Sequence, residues 1–237
     1  MNISPIPDRP FPGQPAGLSE SAEPLVDLAE TISGALDVML MYHRQGVPGA
    51  ISRCFLRAEA AHRLQKALSM LPTGYGLRIY DAWRPIAVQQ ALFDAYAEKV
   101  RQENAGQGLT EEQLLERIKR FVSVPSYDIR QPSVHNTGGA VDLTLIGPDG
   151  RELDMGTAFD DFTPAAYTTA FEGGGSGEVR DNRRLLYTCM TAAGFTNLPT
   201  EWWHYDYGTA FWSYYTGQPA LYTGLLNGGE YNEKGQK

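Results

Sequence analysis

Hydrophobic residues recur at a helical spacing in the segment 55–71. Four apolar side chains lie four residues apart: Leu56, Ala60, Leu64 and Leu68. This spacing places them along one face of an α-helix, so the segment is predicted to be a helix whose apolar stripe faces a core. Pro72 and Gly74 end the pattern, because neither residue favours the continuation of a helix.

Three further segments are predicted to be helical. Pro85 begins a helix that runs to about Gln102, since proline suits the first turn. Residues 109–121 form a charged helix whose narrow apolar stripe is typical of a surface position. Residues 181–193 form a helix that Gly194 ends.

Alternation of apolar and polar residues predicts strands at 76–81 and 139–146. The Gly-Pro-Asp-Gly turn at 147–150 would return residues 151–154 as a hairpin partner. The aromatic segment 201–208 is also strand-like. The predicted helices and short strands do not alternate in a regular βαβ order. This mixture indicates an α+β fold, in which a small central antiparallel sheet is flanked by helices.

The two ends of the chain differ in composition from the rest. Residues 1–24 include five closely spaced prolines, at positions 5, 7, 10, 12 and 15, and are predicted to form an extended arm. Residues 25–226 are long enough for one domain with a single core. Residues 227–237 form a polar tail.

Composition and charge exclude some function classes. The 237 residues carry a formal net charge of −8, which argues against a nucleic-acid-binding protein that needs a basic face. No run of 18 apolar residues exists, so no membrane span is predicted. Residues 1–17 lack the basic and apolar regions of a secretory signal, so we expect a cytoplasmic protein, or a periplasmic one if a leader has been removed.

The two cysteines, Cys54 and Cys189, both lie in apolar helical patterns. Two cysteines are too few for a disulfide framework. The favoured interpretation is a pair of buried thiols that behave as small hydrophobic residues, with a single disulfide bridge as the alternative.

A histidine and an aspartate in the segment 133–142 indicate metal chemistry. His135 precedes two glycines, and Asp142 lies inside the following strand. Val141, Leu143 and Leu145 share the core face of that strand, so Asp142 points to the other side. A buried carboxylate needs a partner, and a divalent metal ion is one such partner.

Glu201 and His204 add the remaining groups of a catalytic metal site. Histidine nitrogen suits zinc, and a nearby glutamate can act as the base for a water molecule that the metal activates. Two histidines and one carboxylate leave a fourth position open, which is typical of a catalytic zinc site. A regular strand would turn Glu201 away from His204, so we place Glu201 in the loop that enters the strand.

The same residues also have ordinary structural interpretations. An aspartate in a strand is often only a hydrogen-bonding residue, and a lone histidine is usually a surface or core residue, as we interpret His43 and His62. Of the adjacent Trp202 and Trp203, one is assigned to the core and the other to a substrate wall. The spacing of these residues along the chain does not by itself decide between a metal site and ordinary structural roles.

Taken together, these segments resemble the VanX-type D-alanyl-D-alanine dipeptidases of the zinc D,D-peptidase family. The motif Ser-x-His-x-x-Gly-x-Ala-x-Asp, followed much later by Glu-x-x-His, is filled at every position, by Ser133, His135, Gly138, Ala140, Asp142, Glu201 and His204. The similarity extends to residues 81–85, 155–160 and 182–185, and it covers about residues 77–207.

The resemblance implies a metal centre and its catalytic groups. One Zn²⁺ per chain would be bound by His135, Asp142 and His204. Glu201 would act as general base and then as general acid, and Arg84 would stabilise the oxyanion. The structural alternative for Arg84 is a salt bridge with Asp81, and the two roles can coexist.

The resemblance also implies the substrate contacts. Ser133 would help to hold a small D,D-dipeptide, and Asp160 would bind its free ammonium group, with Asp161 as the alternative. The long segments 104–132 and 172–179 are expected to cover the active site and to favour short substrates. Residues 36–43 depart from the tyrosine- and asparagine-containing stretch of the family, which leaves the preferred dipeptide open.

Two alternative functions follow from the same motifs. The first is a D,D-carboxypeptidase or endopeptidase that acts on peptidoglycan peptides. The second is an inactive zinc-containing domain that binds a peptide, although such a domain would not need Glu201 or Arg84. The sequence does not indicate an oligomeric state.

Overall fold

A five-stranded sheet lies at the centre of the fold. The computed structural model describes residues 3–119, 121–174 and 177–226. The strands of this sheet are β2 (Leu36–Val38), β4 (Gly76–Asp81), β5 (Ala140–Ile146), β6 (Thr196–Asn197) and β7 (His204–Asp206). Their order is β2-β4-β5-β7-β6, and every neighbouring pair is antiparallel except the edge pair β2 and β4, which is parallel.

Helices and a second, two-stranded sheet surround the central one. The small sheet pairs β1 (Leu25–Asp27) with β3 (Phe55–Arg57). The helices are α1 (Leu28–Thr31), α2 (Met41–Arg44), α3 (Ala58–Ser69), α4 (Ile86–Glu103), α5 (Glu111–Ile118), α6 (Gly177–Ala192) and α7 (Ala210–Thr216). This mixture confirms the predicted α+β fold with its largely antiparallel central sheet.

The main core lies against one face of β5. Val141, Leu143 and Leu145 are fully buried and belong to the same cluster as Leu64 of α3 and Leu186 of α6. Burial of each such side chain stabilises the fold by about 1.5–3 kcal/mol. Because side chains alternate along a strand, the opposite face of β5 presents Asp142, which is the arrangement the sequence predicted.

The predicted helix over 55–71 begins later than expected. Phe55–Arg57 forms strand β3, and α3 occupies only Ala58–Ser69. The apolar stripe nevertheless faces the core, since Leu56 and Leu64 are both fully buried. The local pattern could not reveal the strand, because the partner of β3 lies about 30 residues upstream in β1.

Other predicted elements agree more closely with the structure. The strand over 76–81 matches β4, and the helix that starts at Pro85 matches α4, for which Pro85 is the N-cap. The helix over 109–121 is shorter and begins after the Thr110 capping box. The helix over 181–193 begins earlier, at Gly177, so the end of the predicted loop 172–179 is helical.

The N-terminal arm contains little regular structure, and both cysteines are buried. Residues 3–24 contain an isolated bridge at Leu18 but no helix or strand, and the predicted tail 227–237 lies outside the described residues. Cys54 and Cys189 are both buried thiols, which confirms the favoured interpretation. None of the described helices combines the length and hydrophobicity needed to cross a lipid bilayer.

Candidate active site

Two strands and a short helix bring three buried side chains together. Asp142 of β5 and His204 of β7 are direct partners across the antiparallel pair. His135 lies on the 3₁₀-helix Val134–Thr137, which ends at Gly138 with a φ of 76°. That left-handed conformation, which glycine adopts without strain, turns the chain into β5 and leaves His135 over the strand.

The donor atoms of these residues are spaced as a zinc site requires. His204 Nδ1 lies 3.0 Å from Asp142 Oδ1, and His135 Nε2 lies 3.3 Å from Asp142 Oδ2. The two imidazoles approach to 3.2 Å between His135 Nε2 and His204 Nδ1. Tetrahedral zinc bonds of about 2.0–2.2 Å separate neighbouring donors by about 3.3–3.6 Å, so small shifts would fit this set to the ion.

Each imidazole is oriented by a hydrogen bond on its other ring nitrogen. His135 Nδ1 donates to the Ala82 carbonyl at 2.9 Å, and His204 Nε2 donates to Asp206 Oδ2 at 2.9 Å. These bonds leave His135 Nε2 and His204 Nδ1 directed at Asp142. Outer partners of this kind are typical of histidines that bind metals.

Electrostatics in the centre favour an ionised Asp142. Burial opposes the charged form, but His135 and His204 overcome this effect and lower the pKa of Asp142. Burial also opposes protonation of His204, yet Asp206 and Asp142 raise the pKa of His204 well above its usual range. A divalent cation could take the place of the proton on His204, because metal binding requires a deprotonated imidazole.

Arg84 is held beside the metal centre by several partners. Its Nε donates to Asp81 Oδ2 at 2.8 Å, and Nη1 donates to Gln89 Oε1 at 2.8 Å. Nη2 lies 3.7 Å from Asp142 Oδ2, and the guanidinium lies over the Tyr42 ring. Arg84 therefore forms the salt bridge with Asp81 that was its structural alternative, and it also lines the cavity.

Glu201 lies in a turn immediately before β7, as predicted. Its N–H donates to the Leu198 carbonyl, its own carbonyl accepts from the His204 N–H, and the strand starts at His204. The carboxylate Oε2 lies 3.9 Å from His204 Nδ1. Burial raises the pKa of Glu201 to about 8, and a bound cation would lower it again.

Asp160 also lines the cavity and shares the Tyr42 hydroxyl as a partner with Arg84. It has a φ of 60°, and its Oδ2 accepts a hydrogen bond from the Tyr42 hydroxyl at 3.1 Å. Burial, followed by the charge of Asp142, raises the pKa of Asp160 to about 7. Asp161, the alternative, is not among the lining residues, whereas the buried Ser133 is.

These groups open into one cavity of about 310 Å³. This volume is at the lower end of the range for small-molecule sites. Residues 119 and 121–123 line it, as expected for part of the segment 104–132. The described residues of 172–179 do not line the cavity, and Glu172 is held instead by Arg184 and the Ile6 N–H; residues 175 and 176 lie outside the described part of the chain.

The tryptophans and the other histidines are placed as the sequence suggested. Trp203 lines the cavity, whereas Trp202 packs in the core and donates to Thr157 Oγ1 at 2.8 Å. His43 and His62 are both exposed.

Sequence reasoning missed three residues at the site. Tyr42, which contacts Asp160 and Arg84, comes from the segment 36–43 that departs from the family pattern. Asp206 lies two residues after His204 on the same face of a strand, and this spacing could have revealed it. No comparable sequence pattern points to Gln89 on α4.

Comparison with known proteins assigns the chain to a family. Residues 41–218 match peptidase family M15, described as D-ala-D-ala dipeptidase. The chain belongs to this family. It is therefore a hydrolase of the metallopeptidase class, which confirms the predicted enzyme class and zinc as its cofactor. Among the described residues, His135, Asp142 and His204 form the group that could hold the ion.

Curated relatives are similar over most of the chain. D-alanyl-D-alanine dipeptidase from Synechocystis sp. is 33% identical over 69% of this chain and 73% of its own length. The dipeptidase of the same name from Escherichia coli is 31% identical over 80% of this chain and 86% of its own length. A third, from Enterococcus faecalis, is 34% identical over 56% of this chain and 62% of its own length.

Proposed function

We propose that this M15 peptidase hydrolyses D-alanyl-D-alanine to two molecules of D-alanine. The observation that carries the proposal is the convergence of a His-Asp-His donor set, the Glu201 carboxylate and the Arg84 guanidinium on one small cavity. The named activity of the Synechocystis and Escherichia coli relatives supports this substrate.

We assign His135 Nε2, Asp142 and His204 Nδ1 as the zinc ligands. A zinc ion held by these residues would polarise the scissile carbonyl and would lower the pKa of water towards about 7. The Ala82 carbonyl and the Asp206 carboxylate hold the two imidazoles in the required orientation.

Glu201 is assigned as the proton carrier. Its carboxylate removes a proton from the attacking water while the new C–O bond forms at the peptide carbonyl. When the C–N bond breaks, the same proton passes to the nitrogen of the leaving D-alanine. The turn before β7 and the 3.9 Å distance between Glu201 Oε2 and His204 Nδ1 support this assignment, because they would keep the carboxylate beside a carbonyl held at the metal centre.

Arg84 is assigned as the donor to the developing oxyanion. Its bonds to Asp81 and Gln89 fix the plane of the guanidinium, so little reorganisation is needed as charge develops. Loss of one oxyanion donor of this kind typically reduces the rate by about 10²–10³.

Asp160 and Ser133 are assigned to the substrate. The Asp160 carboxylate would bind the free ammonium of the dipeptide, and the positive charge of that group would keep the carboxylate ionised. The Ser133 hydroxyl would donate a hydrogen bond to the substrate from the buried N-terminal end of the 3₁₀-helix. A peptide with an acylated N-terminus has no free ammonium group and would not make this contact with Asp160.

The experiment is a measurement of D-alanine release by the purified, zinc-loaded protein. Three substrates are compared: D-alanyl-D-alanine, L-alanyl-L-alanine and a muramyl-type pentapeptide. Release from the D,D-dipeptide alone is expected. Release mainly from the pentapeptide would indicate a carboxypeptidase, and zinc binding without any hydrolysis would indicate an inactive binding domain.

We also propose that the protein works in the cytoplasm. Its two cysteines are buried thiols, which suits a reducing compartment. Fractionation of the source cells should recover the protein with cytoplasmic markers, and recovery in a periplasmic fraction would contradict the proposal.

A further inference from the structure

The N-terminal arm, residues 3–24, reaches the rim of the active-site cavity. Phe11 lines this cavity together with Phe211 of α7. The two rings meet edge to face with centroids 6.0 Å apart, and the Phe211 ring lies 6.5 Å from the His204 imidazole. Since the family match begins at residue 41, the arm adds a wall that the matched region does not supply.

The first half of the arm is attached to the body at two points that precede Phe11. The N–H of the buried Ile6 donates to Glu172 Oε1 at 3.2 Å. The Tyr215 hydroxyl donates to the Pro10 carbonyl, directly before Phe11, at 2.7 Å. The contact with Tyr215 holds the backbone beside Phe11 against α7.

The second half of the arm is attached by a hydrogen bond to a side chain and by backbone pairing. The Ala16 N–H donates to Ser213 Oγ at 2.9 Å. Leu18 forms an isolated parallel bridge with Ala220. The six prolines of the arm limit the conformations of the unbound arm, so docking costs less conformational entropy than it would for a flexible chain.

Two groups of side chains that line the cavity reach the metal centre through different ligands. In the first group Tyr42 contacts both Asp160 and Arg84, and Arg84 approaches Asp142. In the second group Phe11 packs on Phe211, which lies beside His204. If Asp160 holds the ammonium, we expect the C-terminal residue of the dipeptide to lie towards the phenylalanines of the second group.

We propose that Phe11 is a specificity-determining residue, which bounds the end of the cavity that receives the C-terminal residue of the dipeptide. The inference rests on the proposed function and adds a preference for a small C-terminal side chain. Phe11 is 49% exposed, so one part of the ring packs against Phe211 while the rest closes the rim. A larger C-terminal side chain would meet this ring.

The test compares D-alanyl-D-alanine with D-alanyl-D-phenylalanine. For each substrate kcat/KM is measured on the zinc-loaded full chain and on Phe11→Ala. The ratio of the larger to the smaller substrate should rise about tenfold in Phe11→Ala, which is within the discrimination that apolar pockets achieve. Tyr127→Ala is the matched control, because Tyr127 is an aromatic residue that is 70% exposed and outside the cavity.

A second variant tests the role of the arm without a change in the cavity lining. Tyr215→Phe removes the hydrogen bond to Pro10 and should raise the same ratio, though by less. An unchanged ratio in both variants, with D-alanyl-D-alanine still hydrolysed, would overturn the assignment of Phe11. Failure of the unsubstituted protein to hydrolyse D-alanyl-D-alanine would instead overturn the proposed function.

Discussion

Asp142 and His204 lie directly opposite each other on β5 and β7, with 3.0 Å between Asp142 Oδ1 and His204 Nδ1. Strand register therefore sets the spacing of two of the three donors. A slip of one residue would turn either side chain to the other face of the sheet. The packing of Val141 and Leu143 in the core opposes such a slip, so the same strand that stabilises the fold also positions the site.

Replacement of Asp206 by asparagine should weaken zinc binding. The carboxylate holds His204 with Nε2 protonated and Nδ1 available, and its loss typically lowers metal affinity by about 10–100-fold. Competition with a chelator of known affinity measures the change. An affinity equal to that of the unsubstituted protein would show that Asp206 does not orient the ligand.

Replacement of Glu201 by glutamine should abolish most turnover and leave zinc in place. Glutamine is similar in size but cannot carry the proton, so kcat should fall by about 10²–10⁴. Zinc content and thermal unfolding serve as controls for the integrity of the site. Full activity in Glu201→Gln would exclude the assigned role.

Replacement of Asp160 by asparagine should affect recognition of the free ammonium. A hydrogen bond to a charged group contributes about 1.5–3 kcal/mol, so KM for D-alanyl-D-alanine should rise about 10–100-fold. Asp161→Asn is the matched control, because Asp161 does not line the cavity. Equal effects of the two variants would contradict the assignment of Asp160.

The metal-free protein should lose stability as the pH rises from about 5 to 8. Burial raises the pKa of Asp160 to about 7 and that of Glu201 to about 8, and the pKa of His204 is also raised, by Asp206 and Asp142 against the effect of burial. In each case the folded state binds the proton more tightly than the unfolded state. The resulting stabilisation is present at low pH and is lost as the pH rises.

Thermal unfolding in the presence of a chelator measures this dependence. The Tm should fall between pH 5 and pH 8. Added zinc should raise the Tm more at pH 8 than at pH 6, because the ligands must be deprotonated to bind the metal. A Tm of the chelated protein that rises over this range would contradict the prediction.

The elements that could be predicted from the sequence are those with a complete local pattern. β4 has clear alternation, and α4 begins at a proline, so their positions were predicted closely. The core face of β5 could also be predicted, and it placed Asp142 on the opposite face of the sheet, as the structure has it. These features depend on neighbours a few residues apart.

The features that the sequence did not reveal depend on distant partners. β3 was interpreted as helix because its pairing with β1 leaves no local trace. Tyr42 reaches Asp160 across 118 positions of the chain. Phe11 lines the cavity beside α7, whose residues Phe211 and Tyr215 contact the arm from about 200 positions further along the chain.

The most direct test of the account is a zinc titration of the metal-free protein, with D-alanine release from D-alanyl-D-alanine measured at each point. The account predicts that activity is absent in the chelated protein, rises in proportion to added zinc and levels off at about one equivalent per chain. His204→Ala should bind zinc weakly and remain inactive at one equivalent. Full activity in the chelated protein, or in His204→Ala at one equivalent, would contradict the assignment of a single zinc centre at His135, Asp142 and His204.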